Sequence, residues 1–287
     1  MQTMHRWLLL ALVSLGIAGG AAQAQATTCG QVLAGPMHTG STCLLSSPGG
    51  APLSAPPEFG RCIKTAGGGY ENASCTKLAG AHASYEWYPA FGSAQPLEKV
   101  GFTDALKELT TVTLETVTKA KIVCEGESAA GEYTGNRTLG HLLVTFTKCN
   151  SSGVACQSAG AGEETIVTNQ LEGELGVEEL GAEASGNRIG EELFPVGHSG
   201  AFAEFTCGGI AGVVTGSVIS PVASNAMKLT ETVKFKATKG KQKPESFVGE
   251  PTSVLTGTFG EGTPEQAGLT LTTMHLNEEK LEVNSVF

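Results

Sequence analysis

From Gly101 onward the chain is written in short Thr-, Val- and Leu-rich runs, broken every ~8–12 residues by Gly, Asn, Ser or Pro, a punctuation that admits strands and little else. The clearest run is Lys228–Thr238. There Leu229, Val233, Phe235 and Ala237 face one way and Lys228, Lys234, Lys236 and Thr238 the other, as a strand with one buried face requires. Leu142, Val144 and Phe146 form a second such face within Leu139–Cys149, and Ala203, Phe205 and Cys207 a third. Further strands are expected near Val112–Thr118, Ala120–Glu125, Ile166–Leu171, Val213–Ile219, Val254–Phe259, Leu269–Leu276 and Leu281–Phe287. One short helix is expected at Thr103–Leu109, with Thr103 capping Asp104-Ala105-Leu106-Lys107-Glu108. The pattern predicts an all-β chain, an antiparallel sandwich or barrel-like domain of about twelve strands over residues 97–287.

Residues 1–26 read as an export signal: a basic start at His5 and Arg6, an apolar run from Trp7 to Ile17, and a small-residue end around Ala21–Ala26. The apolar run falls short of the roughly 20 residues a membrane-spanning helix needs, so no transmembrane anchor is expected. Residues 27–96 are rich in Gly, Ala, Ser and Pro. They form a cysteine-bearing N-terminal segment in which Pro48–Pro57 excludes helix and central strand. All eight cysteines follow the signal, which places the chain in an oxidising compartment, secreted or at the cell envelope. Proximity favours Cys62–Cys75 across Gly67-Gly68-Gly69 and Cys149–Cys156 across Asn150–Gly153, then Cys29–Cys43, leaving Cys124 and Cys207 as a long-range bridge. Zinc is not expected, because no C-x-x-C pair exists and the histidines are scattered at 38, 82, 141, 198 and 275.

The net charge of −10 repels phosphate polymers at long range, so nucleic acid is not an expected partner. Asp104 is the only Asp in the chain, which excludes Asp-rich calcium loops and the aspartic protease pair. No serine elbow is present; Gly197-His198-Ser199-Gly200-Ala201 comes nearest and ends in Ala. No motif points to a cofactor.

Three groups of residues remain as candidates. Tyr85-Glu86-Trp87-Tyr88 concentrates the scarce aromatic side chains; it is either a platform that stacks on sugars or the anchor of the N-terminal segment on the β domain. Lys234, Lys236, Lys239 and Lys241, with Lys228 and Lys243, put six lysines in sixteen residues, a patch that suits an anionic surface polymer or protects a sheet edge. Paired glutamates could hydrolyse a glycan. Glu174 and Glu204 sit in strand-like runs, whereas the doublets Glu163-Glu164, Glu178-Glu179, Glu191-Glu192 and Glu278-Glu279 read as solvated loop charge.

Arg61-Cys62 with Cys75, Ser84–Pro89, Thr168–Gly173 and Asn277-Glu278-Glu279 resemble exported, Gly/Thr-rich proteins of high-GC actinobacteria. The resemblance covers most of the mature chain and implies export and a β-rich fold, with no activity assigned to the group and no catalytic residue carried over. The expectation is therefore an exported, non-catalytic protein of the envelope or its surroundings that binds a surface polymer such as a polysaccharide. The alternatives are a glycan-active hydrolase and a barrel carrier of a small apolar ligand. The sequence leaves the oligomeric state open.

Overall fold

The computed structural model describes residues 56–79, 83–89, 100–181, 186–223 and 226–284. The export signal, the Cys29–Cys43 pairing and most of the Pro48–Pro57 stretch lie outside the described residues. The strands are β1 (Glu58–Lys64), β2 (Tyr85–Pro89), β3 (Gly101–Leu106), β4 (Val112–Thr116), β5 (Lys121–Cys124), β6 (Gly126–Tyr133), β7 (Thr138–Thr147), β8 (Asn150–Ser151), β9 (Val154–Gln157) and β10 (Ile166–Val167). They continue with β11 (Leu171–Glu179), β12 (Arg188–Pro195), β13 (Ala201–Cys207), β14 (Ile210–Gly216), β15 (Val218–Pro221), β16 (Lys228–Thr238), β17 (Lys241–Lys243), β18 (Leu255–Phe259) and β19 (Glu265–Asn284). Every ladder is antiparallel, so the chain is all-β as its punctuation predicts.

The ladders resolve into two barrels joined by one long strand. In the first, β4 pairs with β5, β5 with β8, β8 with β9 and β9 with β13. The ring then closes through β14, β18 and the start of β19 back onto β4. In the second, the order is β15, β12, β11, β7, β6, β3, β19 and β16. No ladder joins β15 to β16 among the described residues, yet Val218 of β15 and Val233 of β16 line one chamber together with β3, β6 and β7. The sheet has therefore curled until its two end strands face each other across a seam.

β19 makes this possible by its length. Twenty residues at about 3.3 Å each span roughly 65 Å, enough to serve both barrels in turn. Residues 265–270 pair with β18 and β4 in the first barrel, and 271–281 pair with β3 and β16 in the second. Sequence reading divides this strand in two at Asn277–Lys280, a polar run that belongs to one continuous strand, with Asn277 buried inside the barrel and Glu278 and Lys280 facing out.

The N-terminal segment docks at the far end of β19. Glu58, Phe59 and Gly60 of β1 pair with Asn284, Val283 and Glu282, and β2 covers the other edge of β1. Leu281 and Val283 are buried, so the tail of β19 packs inward.

Two expectations need correction. The helix at Thr103–Leu109 is a strand as far as Leu106, because Thr103, Asp104 and Ala105 are claimed by ladders to Leu276, His275 and Met274 on one side and to β6 on the other. Local capping propensity cannot compete with two flanking strands. The second correction is to the disulfides. Cys62–Cys75 forms as expected, but the other two described bridges are Cys124–Cys149 and Cys156–Cys207. Cys149 and Cys156 flank the small β8–β9 hairpin, which sits between β5 and β13 when the first barrel closes. Barrel closure, not spacing along the chain, chose the partners. The β5–β8 contact is a single pair, Val123 with Asn150, and the β9–β13 ladder is two pairs long, so each bridge backs the weakest part of the ring.

Candidate functional site

The two barrels differ in what they hold. Inward-facing positions of β19 alternate from Leu269 onward: Leu269, Leu271, Thr273, His275 and Asn277 are buried, as is Ala267, whereas Thr270, Met274, Leu276 and Glu278 are exposed. Along that stripe the side chains pass from apolar to polar as the strand leaves the first barrel and enters the second. The first barrel contains a chamber lined by apolar side chains of β4, β5, β13, β14, β18 and β19, among them Val112, Leu114, Ile122, Val214 and Leu255. Phe146, Phe202 and Leu269 lie between this chamber and that of the second barrel and line both.

The second barrel carries carboxylates on its inner face. Alternation on β3 turns Phe102 and Asp104 inward, β6 brings Glu127, Ala129 and Tyr133, β12 brings Glu191 and Leu193, and β16 brings Glu231, Val233 and Phe235. The chamber they enclose is about 50 Å³, with Leu142, Val144, Val218 and Leu271 completing its apolar wall. A second chamber of about 30 Å³ lies behind the β15–β16 seam, lined by Phe59, Tyr133, Ser220, Glu231 and Asn277. Glu191, Val233 and His275 line both chambers and so form the neck between them.

His275 organises the polar side. Its Nδ1 lies 3.0 Å from Asp104 Oδ1, and its Nε2 lies 3.0 Å from Asn277 Oδ1 and 3.1 Å from the Tyr133 hydroxyl. The Tyr133 hydroxyl donates to Asn277 Oδ1 at 2.7 Å, and Phe102 flanks both the imidazole and the Tyr133 ring, with centroids 4.8 and 5.2 Å away. A doubly protonated imidazole satisfies this set, with Nδ1–H donating to the carboxylate and Nε2–H to Asn277. Burial alone would lower the His275 pKa, but the hydrogen bond and charge of Asp104, joined by Glu191 and Glu231, raise it to about 9.

The glutamates are less well served. Burial pushes Glu127 up to about 7, with the charge of Asp104 adding to the rise and the neighbouring Thr273 hydroxyl opposing it. Burial also pushes Glu191 up to about 7, His275 drawing it back while Asp104 and Glu231 push further. Glu231 is raised for the same reason, moderated by His275 and by Lys228 at the rim. Glu127 is 8% exposed, and its Oε2 has no hydrogen-bond partner.

Chemically this is an electrostatic site more than a catalytic one. The Asp104–His275 pair has the outline of a general-base dyad, but Nε2 is engaged by Asn277 and Tyr133 and does not face a nucleophile. Thr273 Oγ1 donates to the backbone oxygen of Ala105 at 2.8 Å. No group of three or more His, Cys, Asp or Glu among the described residues is arranged to hold a metal ion.

The residues singled out from sequence lie elsewhere. Trp87 is 3% exposed; its indole packs against Gly60 and donates from Nε1 to Glu282 at 2.5 Å, so it offers no ring face to a sugar. Glu86 accepts from the Gly69 amide at 2.7 Å, while Tyr85 and Tyr88 are half-buried beside it. Lys234, Lys236, Lys239 and Lys241 are exposed, as is Lys243. Lys236 stands opposite Lys243 and Thr238 opposite Lys241 in the β16–β17 hairpin, which turns at Lys239-Gly240 with both residues at positive φ. Glu174 is half-exposed beside Arg137 on β11 and Glu204 is exposed on β13, so the structure does not bring them together. The doublet Glu191-Glu192 is not loop charge: Glu191 reaches the barrel interior and Glu192 is buried. Glu178 is likewise buried against Arg188, and burial raises it to about 7.

Asp104, Glu127, Glu191, Glu231 and His275 were not legible as a group. Gly126–Tyr133 lacks the β-branched residues that mark a strand and Arg188–Pro195 has only Ile189, so the signals on offer were the inward parity of His275 on β19 and of Glu231 on β16. No family model, no curated protein and no solved structure matches the chain. Among the described residues no helix is long and apolar enough to cross a membrane.

Proposed function

We propose that this protein is an exported binder of a small molecule, which it holds inside the second barrel. The observation that carries the reading is the contrast between the two interiors. The first barrel encloses a chamber of the same size, about 50 Å³, and lines it with apolar side chains throughout. The second places Asp104, Glu127, Glu191, Glu231 and His275 on inward positions, where each costs desolvation energy that an apolar residue would not. Apolar walls with a few convergent polar groups are the usual composition of a small-ligand site. The signal-like residues 1–26 and the three described disulfides support an extracytoplasmic location.

Chamber size argues against the glycan hydrolase. A polymer cannot thread a space of about 50 Å³, and the carboxylates stand inside it, not along an open cleft. The test is a fragment screen by nuclear magnetic resonance on the disulfide-intact chain, repeated on Ala129→Leu, which fills the chamber from β6. Fragments that shift His275 in the parent and lose that effect in the variant support the reading. Fragments that bind both proteins equally, or none that perturb His275, overturn it.

A second reading rests on a separate observation. Lys236 and Lys243 are directly opposed in the hairpin, an arrangement that destabilises it. No ion pair to a carboxylate accompanies Lys234, Lys236, Lys241 or Lys243 among the described residues. An anionic envelope polymer would relieve that repulsion. Co-sedimentation with an acidic polysaccharide at low salt, lost when Lys234, Lys236, Lys241 and Lys243 are replaced by Gln, is the expected result; unchanged sedimentation removes this reading.

A further inference from the structure

The charge balance inside the second barrel identifies the kind of molecule it takes. Five carboxylates, Asp104, Glu127, Glu191, Glu231 and Glu282, line the two chambers or their neck, Glu282 accepting from Trp87 Nε1 at 2.5 Å, against the single imidazole of His275. His275 is already committed to Asp104 at 3.0 Å. Lys228 lies near Glu231 at the rim, while the Tyr133 hydroxyl donates to Asn277 and supplies no positive charge. From β7 and β15 the chamber walls are apolar or, at Ser220, neutral, so no further cation reaches the interior from those elements. Glu127 is the sharpest part of the imbalance. It is more than nine-tenths buried, it lines the larger chamber, and its Oε2 has no partner.

We infer that the second barrel binds a compact organic ammonium ion, with its charged nitrogen between Glu127 and Glu191 and its short apolar part against Phe102, Leu193 and Phe235. This rests on the small-molecule reading above and narrows it to one class. A buried carboxylate oxygen without a partner disfavours the ionised form, so the site without a cation takes up protons instead. An ammonium supplies the missing charge and a donor for Glu127 Oε2, which has none. Coordinated metal is the poorer occupant, since no three acidic or imidazole groups among the described residues converge on one point. At about 10–15 Å³ for each water-sized position, the larger chamber holds on the order of four non-hydrogen atoms. That admits a propylamine and excludes a sugar.

Binding is coupled to proton release. Both glutamates carry protons through part of the neutral range, and the ammonium displaces them. By linkage, affinity should rise roughly tenfold for each pH unit between 5 and 7 for every proton displaced, and level off once the carboxyls are ionised.

The experiment is calorimetric titration of the disulfide-intact chain with n-propylammonium, propan-1-ol and propionate at pH 5, 6, 7 and 8, in two buffers of different ionisation enthalpy. The expected result is binding of n-propylammonium alone, at least tenfold tighter at pH 7 than at pH 5, with proton release visible as a buffer-dependent heat. Glu127→Gln should weaken it at least tenfold; this variant removes a buried charge and should fold at least as well as the parent. Propan-1-ol binding as tightly as n-propylammonium, or affinity independent of pH, overturns the ammonium class while leaving a small-molecule site in place. Absence of n-propylammonium binding at pH 8 overturns the inference whatever the fragment screen returns, and a screen without hits near His275 separately removes the reading beneath it.

Discussion

Asp104 Oδ1 accepts a hydrogen bond from His275 Nδ1 at 3.0 Å, with both side chains about one-tenth exposed. The only Asp in the chain thus pairs β3 with β19 through the interior of the second barrel as well as through the ladder between them. Removing one partner of a buried ion pair leaves the other charge unpaired, which typically costs about 3–5 kcal/mol. Asp104→Asn should therefore destabilise the protein by about 3 kcal/mol and drop the His275 pKa, both measurable by denaturant melts and by titration of its imidazole resonances. A variant as stable as the parent with an unchanged titration would mean that the pair contributes nothing.

The interior charges also fix how stability responds to pH. Glu127 and Glu191 sit at about 7 in the fold, above the ordinary carboxyl value of 4.5, so the folded state holds more protons than the unfolded one between those limits. Stability must then decline as pH rises through that window. His275, raised to about 9, contributes stability that is complete below 6.5 and lost as pH climbs through 9. Both effects have the same sign. Calorimetric melting in the absence of any amine should give a higher Tm at pH 5 than at pH 8.5, and the loss should be shallower in Glu127→Gln. A Tm that climbs over this range would contradict the protonation states assigned to the barrel.

Disulfide connectivity can be read directly. Proteolysis without reductant, followed by mass spectrometry, should recover Cys124 linked to Cys149 and Cys156 linked to Cys207, not Cys149 linked to Cys156. Deleting either bridge by paired Ala substitutions should cost about 2–4 kcal/mol, with more lost for Cys156–Cys207, whose partners lie 51 residues apart against 25 for the other. Equal losses would show that chain entropy is not what separates them.

How much of this was legible before the fold was known depends on which signal each residue carries. Lys228–Thr238 alternates in sequence and forms β16 over those same bounds, with Phe235 buried and Lys234 and Lys236 exposed as expected. Leu229, expected on the buried face, is instead exposed next to a break in register between Lys228 and Thr230. Gly126–Tyr133 forms an equally real strand from Gly-Glu-Ser-Ala-Ala-Gly-Glu-Tyr, whose small inward Ala129 and Gly131 leave room for Phe102 and the chamber. Its inward Glu127 reads as polar, which is the opposite of a core signal. The site escaped for that reason: barrel interiors built to hold charge break the pattern by which interiors are recognised. The sharing of β19 between two barrels escaped for another, since long-range pairing leaves no trace in local spacing.

Trp87 provides the last test, on the junction between the N-terminal segment and the second barrel. Its indole fills the space over Gly60, where even a methyl group would clash, and its Nε1 holds Glu282 of β19. Burial raises the Glu282 carboxyl and this hydrogen bond lowers it, so losing the indole leaves that acid in a drier and less satisfied place. β1 meets the barrel through three residue pairs, Glu58 to Gly60 against Asn284 to Glu282, through the Phe59 amide on the Asn136 carbonyl and the Phe59 ring against Tyr133, and through the ion pair of buried Arg61 with Glu279. Trp87→Ala should cost about 3–5 kcal/mol of the local packing and release this hairpin first. Amide exchange would then rise across residues 58–64 and 85–89 while β7 and β11 stay protected. Loss of protection throughout the barrels at the same denaturant concentration would instead make the N-terminal segment part of a single cooperative unit with the β domain, and Trp87 a member of its core.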